Sequence, residues 1–205
     1  MQQQILTMLE LQDGMNSKVH SDWRERGFEW YRAIWIECGE LMDHYGWKWW
    51  KHQQPDVDQV KLELVDIWHF GLSILLLEGH SSEQIAAKVE TELSGQGGDF
   101  RVDLEAFTQT TLETKGFDIP GFACLMAGVG MNFDELYVRY VGKNVLNFFR
   151  QDHGYKDGSY IKVWNGREDN EHLVEAVAEL DTGSADFKDQ LYAALESRYP
   201  GIPSS

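Results

Sequence analysis

Two pairs of acids stand where apolar residues are expected: Glu37 with Glu40, and Glu63 with Asp66. The members of each pair are three residues apart, so on a helix they share one face. Trp30, Ile34, Glu37 and Leu41 follow one another at helical spacing, and so do Val60, Glu63, Ile67, Phe70 and Ile74. Both series read as core-facing stripes, each with a carboxylate in place of a leucine. A charge in such a stripe is costly unless it is paired or binds a cation. Glu37, Glu40, Glu63 and Asp66 therefore predict a hard divalent metal held between two helices. Oxygen-only ligation favours Mg²⁺, with Mn²⁺ as the substitute, over Zn²⁺. Mg²⁺ commonly recruits substrate phosphates, which points to a phosphorylated substrate. Asp66 also shares a stripe with Gln59, Leu62, His69 and Ser73, a polar lining beside the core stripe.

Three further clusters suit a nucleotide. Trp47-Lys48-Trp49-Trp50-Lys51 offers a stacking wall for a flat ring, or a surface aromatic cluster at a subunit interface. Gln12 and Asn16 lie one helical turn apart; their amides, like His69, can read the donor–acceptor edge of a base. Lys143, Asn147 and Arg150 share a helical face, and with Lys156 and Lys162 on a glycine-bearing loop they could wrap a polyphosphate.

The elements that must position these residues are mostly helical. Helices are predicted from Ile5 to Val19, from a cap at Ser21 or Asp22 to Tyr45, and from Pro55-Asp56 to about Glu78. A fourth runs from a Ser81 or Ser82 cap to about Leu93, and a weaker one over Val102 to Thr114. Helical pattern resumes near Phe122, breaks at Gly128 to Gly130 and continues to Arg150. A loop follows from His153 to Gly166, then two short helices between Glu171 and Tyr199. Strand signal is confined to Ser159–Trp164. The expectation is an all-α helical bundle forming a single domain over residues 1–205, with the metal site between helices and a mobile segment at 95–120.

Composition narrows the partners. A net charge of −16 disfavours general nucleic-acid binding, while the basic residues gathered between Arg139 and Arg167 look like a compact anion site. The apolar run from Gly71 to Leu77 is too short for a transmembrane span, so no membrane partner is expected. Met1 to Gln4 show no signal-peptide pattern, and only Cys38 and Cys124 are present, so a reducing cytoplasm is the expected location.

Together these segments resemble the all-α dimeric dUTPase family, within the all-α NTP pyrophosphohydrolase (MazG-like) superfamily. The resemblance runs through Leu9–Asn16, Glu37–Leu41, Gly46–Lys51, Glu63–Phe70 and Lys143–Asn170. The acid pairs mark only the superfamily; the tryptophan segment, Asp66-Ile67-Trp68-His69-Phe70 and the Lys143–Asn170 run are specific to the dUTPase branch. The resemblance implies that Glu37, Glu40, Glu63 and Asp66 hold Mg²⁺. It implies that Gln12, Asn16, Trp49, His69 and Phe70 frame uracil and deoxyribose, and that Asn147 and Tyr155 hold the nucleoside. It assigns Lys143, Arg150, Lys156, Lys162 and Asn170 to phosphates. It further implies a homodimer that hydrolyses dUTP, and typically dUDP, to dUMP by attack at the β-phosphate. The rival expectations are a dCTP/dUTP or broader MazG-like pyrophosphohydrolase, and a regulatory protein that senses nucleotides through the same pocket.

Overall fold

The computed structural model describes residues 1–200. Among these the chain is all-α: α1 Gln2–Val19, α2 Trp30–Tyr45, α3 Val57–Leu77, α4 Ser82–Glu92, α5 Phe100–Thr114, α6 Ile119–Gly128, α7 Phe133–Asp152, α8 Asp169–Ala178 and α9 Phe187–Arg198. A minimal antiparallel pair, β1 Val163–Trp164 with β2 Arg167–Glu168, is the only sheet among the described residues. The chain divides into two compact units, Met1–Tyr137 and Val138–Ser205.

Local chemistry explains most boundaries. Asp56 caps α3 by accepting from the Gln59 amide, and Ser81 forms a capping box with Gln84 at the start of α4. Asp99 and Asp118 cap α5 and α6 in the same way. The helix expected from Ser21 or Asp22 begins instead at Trp30. The intervening residues form turns that end with Gly27 at φ 63°. They are tied down by tertiary contacts: Trp23 is buried and donates to Asp13 at 3.1 Å, and Arg24 donates to the Leu76 carbonyl at 2.6 Å. Much of the 95–120 segment is α5, whose buried Leu104 and Phe107 anchor it.

In the first unit α2 and α3 form the most extensive helix pair, with α1 against α3 and α4, and α5 against α2 and α6. The core is centred on Trp68, which stacks on Phe122 at 5.3 Å, meets Phe117 edge-on and points its indole N–H at the Met8 sulfur. Gly71 allows Phe117 to approach: a Cβ there would lie 2.7 Å from the ring. The second unit gathers Phe149, Trp164, Tyr192 and Tyr199 into one aromatic cluster over α9.

Candidate metal and base-recognition site

The α2–α3 pair carries the acids. Glu37 projects from α2, and Glu63 and Asp66 from α3; one carboxylate oxygen of each lies within 4.8 Å of the others. Glu63 is only 9 % exposed, so its charge is held largely out of water. The Glu37 carboxyl is pushed up to about 7, first by burial, then by the charges of Asp66, Glu40 and Glu63 and by a hydrogen bond with Glu63. Three close oxygen donors under mutual repulsion suit a small divalent cation, which would relieve the repulsion. Glu40 lies outside the trio, exposed on α2, although its charge reaches Glu37. His44 sits with its Nε2 3.6 Å from Glu63 Oε1. Its signal in the sequence is its spacing, seven residues after Glu37 and so near the same face of α2.

A buried polar network joins α1 to α3. The Ser73 hydroxyl donates to the His69 carbonyl at 3.0 Å, and its oxygen accepts from Gln12 Nε2 at 3.1 Å and Asn16 Nδ2 at 3.0 Å. Gln12 Nε2 also donates to Asn16 Oδ1 at 3.0 Å, and Gln12 Oε1 faces His69 Nδ1 at 2.9 Å. Gln12, Asn16 and Ser73 are buried, so these bonds form in a low-dielectric setting where they hold geometry firmly. Asp66, His69 and Ser73 fall three and four residues apart on α3. At 1.5 Å rise per residue, the network begins about 5 Å along the helix from the acid trio and ends about 10 Å from it. That is roughly a nucleotide's reach from phosphate to base. Phe70, next along α3, stacks on Trp30 at 6.1 Å.

A sequence model of the dUTPase family matches residues 4–155. The chain belongs to the dUTPase family. It is accordingly a dUTP-hydrolysing enzyme, a dUTP diphosphatase. No curated protein matches the chain. The family match covers the acid trio, the polar network and the tryptophan turn, and ends at Tyr155; Lys156, Lys162 and Asn170 lie beyond it.

The remaining dUTPase site candidates lie in the tryptophan turn and in the second unit. The tryptophan turn follows α2, where Arg101 donates to the Gly46 carbonyl at 2.8 Å and lies over the Tyr45 ring. Trp49 is 89 % exposed and meets Trp50 edge-on at 5.3 Å, so its faces look to solvent. In the second unit Lys143 and Asn147 are half-buried on α7, while Tyr155, Lys156 and Asn170 are exposed. Lys162 pairs with Glu168 at 3.3 Å. Arg150 is held by the buried carboxylate of Asp169, with Nε and Nη2 at 2.8 and 2.9 Å, and Tyr160 donates to the same carboxylate at 2.9 Å. A phosphate contact by Arg150 would have to share a guanidinium that Asp169 already orients.

Proposed function

We propose that the chain hydrolyses dUTP, and also dUDP, to dUMP in a Mg²⁺-dependent reaction, with Glu37, Glu63, Asp66 and, through the charge it adds, Glu40 holding the cation. The observation that carries this reading is the convergence of Glu37, Glu63 and Asp66 in a chain of the dUTPase family. Bound Mg²⁺ would offset phosphate charge and acidify the attacking water. Glu37 accepts the proton of that water at its carboxylate, a role suited to a group poised near neutrality. His44, beside Glu63, is placed to orient that carboxylate. Gln12, Asn16 and His69 read the base, with Phe70 and Trp49 as ring contacts. Asn147 and Tyr155 hold the nucleoside. Lys143, Arg150, Lys156, Lys162 and Asn170 are assigned to phosphates on their charge and hydrogen-bonding chemistry alone.

The proposal includes a homodimer in the cytoplasm. A groove of about 700 Å³ between α2 and α5 is lined by Trp35, Met42, Leu104 and Leu112, among others, and Trp35 and Ile36 are each about half exposed. An apolar surface of this kind suits burial against a second copy. Cys38 and Cys124 are both thiols, in keeping with a reducing compartment. No helix among the described residues is long and apolar enough to cross a membrane.

Glu37→Gln separates this reading from a purely structural role for the acids. It is expected to lower kcat roughly 100-fold or more and to weaken the Mg²⁺-dependent rise in thermal midpoint. Unchanged turnover and an unchanged Mg²⁺ response would overturn the assignment.

A further inference from the structure

We propose that Ser73 determines uracil-against-cytosine selectivity by locking the polarity of the Gln12–Asn16 amide pair. The inference rests on the assignment of these amides to the base.

The geometry carries the polarity without reference to a ligand. Ser73 has one hydroxyl proton, and it is directed at the His69 carbonyl. The Ser73 oxygen can therefore only accept from its other neighbours. Gln12 and Asn16 both stand within hydrogen-bond distance of it, so both must turn their NH₂ groups toward Ser73. The second proton of the Gln12 amide goes to Asn16 Oδ1. Gln12 Oε1 then faces His69 Nδ1, which must carry the ring proton to donate to it. Ser73 thus sets the direction of the bonds that link His69, Gln12 and Asn16.

The bonds of this network use both protons of the Gln12 amide, but only one of the two protons of Asn16 and one of the two acceptor positions on its oxygen. Asn16 is therefore the member that can present a donor and an acceptor side by side in fixed order. The Watson–Crick edge of uracil pairs a ring N–H with a carbonyl oxygen; cytosine presents the reverse, a ring acceptor beside an amino donor. An amide that could turn over would accept either base held in one place. An amide locked by Ser73 matches one of them. Thymine shares the edge of uracil and differs at C5, so Ser73 has no part in rejecting it.

The test is Ser73→Ala, assayed with Mg²⁺ against dUTP, dCTP and dTTP. The dUTP-to-dCTP ratio of kcat/KM is expected to fall roughly tenfold, the scale of one mismatched hydrogen-bonded edge, while the dUTP-to-dTTP ratio stays unchanged. A parallel loss for all three nucleotides would show a structural role only and overturn the proposal. The side-chain amide NMR signals of wild-type Asn16 and Gln12 give a second measurement that does not depend on the variant folding. Both NH₂ groups should be sharp and protected from exchange in the nucleotide-free protein, and should keep their orientation when dUMP binds. Averaged or rapidly exchanging signals would refute the lock. Failure of the wild-type protein to turn over dUTP would instead overturn the proposed function, and is read in the same assay.

Discussion

Glu37 is the residue on which chemistry and stability meet. Its ordinary value of 4.5 is raised to about 7, so between those limits the folded, cation-free protein holds a proton that the unfolded chain has lost. A raised carboxyl favours the fold at low pH and ceases to do so as pH rises through that window. In chelator, the thermal midpoint of the wild-type protein relative to Glu37→Gln should therefore fall as pH rises from about 4.5 to about 7. Added Mg²⁺ should release protons near pH 6, measurable in weakly buffered solution; no release would contradict cation binding at this carboxyl. Glu37, Glu63 and Asp66 were legible in the sequence because each interrupts or borders an apolar stripe. Glu40 was predicted with them from the same three-residue spacing, but it lies exposed on α2, outside the trio. His44 is not among the residues the sequence singled out, although its seven-residue spacing from Glu37 places it near the same face of α2.

At the scale of elements, caps and breakers account for the good agreement of α3, α4 and α5 with expectation. The late start of α2 was not legible, because the contacts that hold Trp23 and Arg24 come from Asp13 and Leu76, distant in sequence. The same limit applies to Arg150. Its spacing groups it with Lys143 and Asn147, but does not reveal that Asp169, at the start of α8, orients the same guanidinium. Asp169 is fully buried and joins α7, Tyr160 of the connecting loop and α8. Removing it strands a guanidinium and a phenol, so Asp169→Ala should destabilise the protein by about 2–4 kcal/mol. Denaturant unfolding monitored by tryptophan fluorescence would measure this, and a loss below about 0.5 kcal/mol would mean that solvent replaces the pair.

For the whole molecule, the all-α class followed from helical periodicity and scarce strand signal, and the structure agrees. The division into Met1–Tyr137 and Val138–Ser205 was not legible, because α7 crosses the boundary as one uninterrupted helix. The dimer is a property that no single chain displays, but its proposed surface is open to test. Trp35→Glu, placed in the α2–α5 groove, should shift the protein from dimer to monomer in sedimentation velocity. A wild-type protein that sediments as a monomer would remove the dimer from the proposal. The central claim concerns the reaction itself, and steady-state turnover of dUTP, dUDP, dCTP, dTTP and UTP with and without Mg²⁺ tests it most directly. dUTP and dUDP should be converted to dUMP only with Mg²⁺, and the other three should be turned over poorly; turnover of dCTP equal to that of dUTP, or undiminished activity in chelator, would contradict it.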